Sequence, residues 1–260
     1  MKSQTEKTAI FRALHQRNRA FIIPNPWDIG TAKMLEALGF EALATTSAGF
    51  AQSIGKVDGA VDRDTMLAHA AQLVAATDLP VSADLENGYA DDPAGVAETV
   101  QLAAAAGLAG CSIEDLPAGR AGEPYAIDLA AERIAAAAKA ARALPFPFVL
   151  TARAENYIAG HPDLADTIAR LQAYQAAGAD VLYAPGLRDA DDIAAVVRAL
   201  NRPVNVLVGL PGVDFTLADL SALGVRRVSI GSGLSRLALR TAERAAKEMH
   251  DRGDFSALTR

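Results

Sequence analysis

The chain has 260 residues, 51% hydrophobic and 22% charged, with a formal net charge of −6 and a single cysteine. A chain of this length buries enough surface to need no staple, and a lone Cys111 can form neither an intrachain disulfide nor a zinc cluster. Thirty-one acidic against 25 basic side chains exclude a nucleic-acid-binding face, and no apolar run approaches the roughly 20 residues of a membrane span.

Residues 1–7 open with charge and lead into no apolar core or cleavage site, so no signal peptide is expected and the protein reads as soluble and cytoplasmic. Residues 8–19 read as an opening helix. Short apolar, β-prone runs then fall at 21–23, 42–45, 80–83, 110–113, 148–151, 181–183, 204–208 and 225–230. Helical patterns lie between them at 62–76, 93–106, 128–144, 163–177, 189–200 and 217–223. The first of these aligns Met66, Leu67, Ala70, Leu73 and Val74 on one face. The second starts behind Asp92, an N-cap, with Pro93 in its first turn. Leu38-Gly39, Ala106-Gly107, Ala177-Gly178 and Leu223-Gly224 supply glycine C-caps. A last helix is expected over 234–250, with the final ten residues frayed.

Eight strand-like runs alternating with helices predict one (β/α)8 TIM-barrel domain over 1–260, the opening helix covering its bottom. An open doubly wound sheet shares the alternation, but no Gly-x-Gly-x-x-Gly follows the first strand.

A barrel carries its chemistry at the C-terminal ends of the strands. Here those ends read Asn25-Pro26-Trp27-Asp28, Thr46-Ser47-Ala48-Gly49, Asp84-Leu85-Glu86-Asn87-Gly88-Tyr89, Glu114-Asp115 and Arg153-Ala154-Glu155-Asn156. Asn205 lies within the seventh run. Neighbouring strands are about 4.8 Å apart, so Asp84 and Glu114 can converge. Asp84, Glu86 and Glu114 offer hard oxygen donors with no histidine nearby, a set suited to Mg²⁺ or Mn²⁺. The alternative is that these carboxylates cap helices or pair with Arg153, as Asp91 and Asp92 illustrate. The small residues Thr45 to Gly49 present backbone amides that can cradle a carboxylate or phosphate; they can equally form an ordinary turn.

Together these segments, with Gly55, Asp58, Ser112-Ile113-Glu114-Asp115 and Thr151-Ala152-Arg153, resemble the isocitrate lyase/phosphoenolpyruvate mutase superfamily, in order from about residue 21 to 239. The resemblance implies an enzyme that cleaves or forms C–C or P–C bonds beside an α-keto or α-hydroxy acid through a pyruvate-like enolate on Mg²⁺. It makes Asp84 a direct metal ligand and gives Glu86 and Glu114 the metal's waters. Thr46, Ser47 and Ala48 would grip the substrate carboxylate and enolate oxygen. Arg153 would neutralise the substrate's oxygens, with Asp58 near the keto group, Asn205 as a further contact and Trp27 as an aromatic wall. It also implies a homo-oligomer, a dimer of dimers, whose last helix is exchanged between neighbours.

The departures bear on the substrate. The lid cysteine motif of isocitrate and methylisocitrate lyases is absent from 115–125, and Cys111 falls inside a strand as a small hydrophobe. Neither of those two activities is expected. The lysine, asparagine and serine of the mutase and phosphonopyruvate hydrolase lids are missing too. Arg120 is the one cation of the glycine-rich lid, a candidate for a second carboxylate or a solvated loop residue. Of the histidines only His161 falls near the mouth, in a loop. The expected reaction is a Mg²⁺-dependent lyase reaction on a small keto or hydroxy (di)acid, with oxaloacetate decarboxylation needing the least equipment. The alternatives are P–C chemistry on phosphonopyruvate and a non-catalytic keto-acid binder.

Overall fold

The computed structural model describes residues 2–117 and 122–259. Its strands are β1 (Phe21–Ile23), β2 (Leu43–Ala44), β3 (Val81–Asp84), β4 (Gly110–Glu114), β5 (Val149–Arg153), β6 (Val181–Tyr183), β7 (Val204–Leu207) and β8 (Arg227–Ser229). All pair in parallel, in the order β1-β8-β7-β6-β5-β4-β3-β2. This is the (β/α)8 TIM barrel expected from the alternation. The hoop is completed at the β1/β2 seam by Ala44 N–H donating to the Pro24 carbonyl at 3.1 Å. Asn25 ties β1 to both neighbours: its Nδ2 donates to the Thr45 carbonyl after β2 at 2.9 Å, and its Oδ1 accepts from Ile230 N–H after β8 at 3.1 Å.

The helices are α1 (Gln4–Leu14), α2 (Ile29–Ala37), α3 (Ser47–Ser53), α4 (Arg63–Ala76), α5 (Pro93–Ala105), α6 (Ile127–Arg142), α7 (Leu164–Ala176), α8 (Ala190–Ala199), α9 (Leu217–Ala222) and α10 (Gly233–Arg252). The six helices expected between strands lie within two residues of their sequence limits. Asp92 caps α5 through Gly95 N–H, with Pro93 in the first turn. The opening helix is displaced toward the N-terminus because a Ser3–Glu6 capping box starts it early. A 3₁₀ turn, Ser256–Thr259, forms where fraying was expected. Helix α3 occupies the stretch read as a turn, with Thr46 as its N-cap accepting from Gly49 N–H at 3.2 Å.

Two apolar clusters hold the barrel. The larger packs strands against helices, and buried alanines such as Ala103, Ala104, Ala137 and Ala138 let α5 and α6 approach closely. The smaller lies inside the lower barrel, where Phe11 and Leu14 of α1 meet Phe21, Ile23, Val149 and Val181. Gly110 permits this plug, since a Cβ there would lie 2.4 Å from the Val149 carbonyl oxygen and 3.0 Å from Phe11 Cε1. Cys111 is fully buried, and burial pushes its thiol pKa up, in keeping with a small core hydrophobe.

Helix α10 leaves the barrel wall. Ser235 is its one buried residue, and Leu237 and Leu239 are 61% and 43% exposed. No described helix is long and apolar enough to cross a membrane.

Candidate active site

The upper lumen opens into a cavity of about 260 Å³ at the C-terminal ends of the strands. Arg153, the last residue of β5, organises it. Its Nη1 meets Asp84 Oδ1 at 2.8 Å, its Nη2 meets Glu114 Oε2 at 3.1 Å, and its Nε meets Glu155 Oε1 at 2.8 Å. One guanidinium thus joins the ends of β3, β4 and β5. Strand register explains the convergence, because Glu114 stands opposite Arg153 and Asp84 opposite Ser112.

Asp84 is also held from the β2 side. Its N–H donates to Thr45 Oγ1 at 2.9 Å, and its Oδ2 accepts from the Ser47 hydroxyl at 3.2 Å. Asp58 reaches the rim from the loop after α3 and lines the same cavity as Ser47. The amides of Ser47 and Ala48 lie in the first turn of α3, where intrahelical partners are missing and anions are favoured. Glu86 follows Asp84 with a left-handed φ of 48°, and Tyr89 repeats the departure at 56°. Non-glycine residues rarely adopt that region, and such strain gathers at functional sites.

Electrostatics mark the same cluster. Burial, then the charges of Asp84 and Asp58, push Glu86 up to about 7. Burial holds Glu114 well above the usual carboxylate range, although Arg153 opposes it. Burial likewise raises Asp58 and Glu155. On Arg153 burial disfavours the charge, but Glu155, Glu114 and Asp84 outweigh it and keep the guanidinium firmly protonated. Of five neighbouring carboxylates, Asp84, Glu114 and Glu155 pair directly with Arg153, and Asp58 and Glu86 stand beside them without an ion pair among the described residues. That surplus of hard oxygen donors fits a divalent cation. Among the described residues no three acidic, histidine or cysteine groups already converge as a cage. Mg²⁺ retains several waters, so one direct carboxylate with others acting through water suffices.

Deeper layers fix these groups. Buried Asp115 accepts from Glu155 N–H at 2.8 Å, from Arg170 Nη1 at 3.1 Å and from the Tyr174 hydroxyl at 2.5 Å, which locks the end of β5. Arg133 of α6, 1% exposed, donates to the carbonyls of Asn87, Ala90 and Glu114 and holds the Glu86 loop.

Comparison with known proteins agrees with this geometry. Residues 11–250 match the phosphoenolpyruvate phosphomutase family. The chain belongs to that family. A crystal structure from Burkholderia cenocepacia J2315, described only as a lyase/mutase, superposes with a TM-score of 0.96 at 62% identity, covering 98% of this chain and 92% of that one. An uncharacterized protein of Mycobacterium tuberculosis is 39% identical over 93% of this chain and 89% of its own length. An oxaloacetate decarboxylase of Bradyrhizobium sp. is 34% identical over 78% of this chain and 70% of its own length. The protein is thus an enzyme of the carbon–carbon lyase type within the isocitrate lyase/phosphoenolpyruvate mutase superfamily.

Set against the residues expected for the family, Thr46, Ser47, Ala48, Asp58, Asp84, Arg153 and Asn205 all line the cavity. Glu86 and Glu114 stand behind that lining, tied to it through Asp84 and Arg153. Trp27 is half-buried and lies outside the lining, next to the Asp28 cap of α2. His161 accordingly sits in the loop after β5, and its N–H donates to the Asn156 carbonyl at 2.8 Å. Tyr89 reaches Glu86 at 3.5 Å. Arg120 lies outside the described residues. Glu155, expected at a strand end but given no role, also lines the cavity, and Tyr183, Arg227 and Arg236 are lining groups that the sequence reading missed. Inward parity along β6 and β8 is the signal for Tyr183 and Arg227.

Proposed function

We propose that this enzyme is a Mg²⁺-dependent lyase that cleaves the C–C bond beside the keto group of a small α-keto or α-hydroxy (di)carboxylic acid, giving a pyruvate-like enolate. Mn²⁺ is an acceptable substitute. The observation that carries the reading is the carboxylate cluster around Arg153, which shares one small cavity with the first turn of α3. Decarboxylation of an oxaloacetate-like acid asks least of it, because loss of CO₂ requires no general acid in the cleaving step. Kinship with the Bradyrhizobium decarboxylase supports this choice.

Asp84 would hold the cation directly, and Glu86 and Glu114 would hold its waters. When bound, the cation withdraws electron density from the substrate's keto oxygen and so stabilises the enolate, a contribution of several kcal/mol. The chain's own groups do the rest. Ser47 and Ala48 amides receive the acid's carboxylate at the positive end of α3. Asp58, held above its usual pKa by burial, stands at the rim where a proton is to be delivered or removed. Arg153 keeps Asp84 and Glu114 in register and borders the cavity, where its charge would meet a substrate oxygen. Asn205 lines the far wall. The reading requires no covalent nucleophile, and the described lining residues include neither cysteine nor histidine.

We further propose that residues 1–260 act as one cytoplasmic barrel domain that assembles as a homotetramer, with α10 covered by a neighbouring copy. The exposed Leu237 and Leu239 support that assembly.

The test is incubation with Mg²⁺ and a panel of 2-keto acids, phosphonopyruvate included, with detection of CO₂, pyruvate and phosphate. CO₂ or pyruvate release that requires Mg²⁺ and disappears in Asp84→Ala is expected. Tight binding without turnover of any acid overturns the lyase reading in favour of a non-catalytic binder. Phosphate release from phosphonopyruvate alone overturns it in favour of P–C chemistry.

A further inference from the structure

Three arginines line the cavity, and their pairing differs. Arg153 is bonded to three carboxylates at the mouth. Arg236 of α10 is half-buried at the rim and donates to Ser232 Oγ. Arg227 of β8 lies deeper, 5% exposed, and no carboxylate among the described residues pairs with it. Its Nε donates to Asn205 Oδ1 at 2.9 Å and its Nη1 meets His15 Nε2 at 3.4 Å, both neutral partners. His15 Nδ1 faces the Phe11 carbonyl at 2.8 Å, so it carries the proton and leaves Nε2 as an acceptor. Burial lowers the His15 pKa to about 3, which keeps that ring neutral. Arg227 Nη2 has no hydrogen-bond partner within the described chain.

The shape of the lumen explains why this cation borders a cavity. Register sets Glu114, Arg153, Tyr183, Asn205 and Arg227 opposite one another from β4 to β8. The facing wall carries Ala44, Ser82 and Ser112, where barrels usually carry bulky branched residues. The upper lumen is therefore unfilled, and the cavity descends past Arg153 to Arg227. A buried guanidinium without a counter-charge is costly to keep, and arginine does not shed its proton at working pH. Its planar fork matches a carboxylate. At about 260 Å³ the cavity suits a small metabolite and falls below the usual range for drug-sized ligands.

We propose that Arg227, with Asn205 held in place beside it, recognises the second carboxylate of a dicarboxylic substrate and sets the enzyme's preference for two-ended over one-ended acids. The proposal rests on the keto-acid reading of the mouth, which supplies the site for the first carboxylate. A ligand with one anionic end at α3 and another at Arg227 neutralises both ends of the cavity. A one-ended acid leaves Arg227 unpaired.

Calorimetric binding of unreactive acids tests this without turnover. Succinate and butyrate, equal in chain length, are titrated in Mg²⁺ into wild type, Arg227→Gln and Arg227→Lys, with melting temperatures recorded for each. Wild type is expected to prefer succinate by about 30-fold, the worth of one charge-assisted pair. Arg227→Gln should abolish that preference and leave butyrate binding unchanged. Arg227→Lys, which keeps the charge and loses the fork, should retain part of it and decides the matter if the glutamine variant does not fold. No preference in wild type, or an equal loss for both acids in a folded variant, overturns the proposal. Failure of every keto acid to turn over, with the succinate preference intact, sinks the lyase reading alone.

Discussion

Arg133 offers the sharpest test of how the site is held. Its guanidinium is almost fully buried on α6, 4.1 Å above the ring of Tyr125. It donates to Ala90 O at 2.9 Å and Glu114 O at 3.1 Å, and also to Asn87 O. Arg133→Met keeps the packing on Tyr125 but leaves three carbonyls without their donor. Hydrogen bonds to a charged group contribute about 1.5–3 kcal/mol each, and part of that sum returns because no cation need be desolvated. The expected net loss is about 3–5 kcal/mol. With a urea slope of about 2–3 kcal/mol/M, the unfolding midpoint should fall by roughly 1–2 M. Release of the strained Glu86 loop should also weaken Mg²⁺ binding by about 10–100-fold, as loss of outer support does at metal sites. Urea melts and metal titration by calorimetry read the two effects separately. A midpoint within about 0.3 M of wild type, with Mg²⁺ affinity unchanged, would refute the claim that Arg133 holds the loop.

Gly110→Ala drives a Cβ to within 2.4 Å of the Val149 carbonyl oxygen and against Phe11, so a loss of at least about 1–3 kcal/mol is expected in thermal melts. His15 and His69 are buried neutral, with pKa values lowered by burial to about 3 and 4. The unfolded chain therefore binds more protons below pH 6.5, and stability is full above that pH and falls as pH drops toward 3. For His15 the loss reaches several kcal/mol at the lower limit, and pH-dependent urea melts of His15→Gln should show a flatter acid limb. Leu237→Glu with Leu239→Glu places charge on the exposed face of α10. Sedimentation should show wild type as a multiple of the chain and this variant as a smaller species; equal masses would count against assembly through α10.

The barrel was legible because apolar runs and amphipathic stretches alternate, with capping Asp or Thr residues at most helix starts and glycine stops after α2, α5, α7 and α9. Helix α3 escaped because Ser47–Ser53 is short and its SAGFAQS run shows no apolar period. Its Thr46 cap is a signal that the glycine-rich context masked. Asp84, Glu114 and Arg153 were legible as strand-end charges, since the fold rule directs attention there. Glu155 stands among the strand-end residues in the sequence but without a role, because only the structure brings it onto Arg153, two residues before it. Arg227 escaped for a different reason. The Val225-Arg226-Arg227-Val228 run reads only as a strand, and the inward parity of Arg227 becomes plain once the register sets it opposite Asn205 of β7.

The seam between β1 and β2 has a mechanical consequence. Elsewhere the hoop is held by ladders, but here one backbone bond and the amide of Asn25 carry the tension. Few bonds need break for the hoop to part there, so this is where the barrel breathes most readily. Thr45, whose carbonyl Asn25 holds, also steadies Asp84 and leads directly into the first turn of α3. If the proposed acid site is correct, the seam and the ligand's grip share the same few bonds, so a bound acid is expected to slow hydrogen exchange at the Ala44 amide.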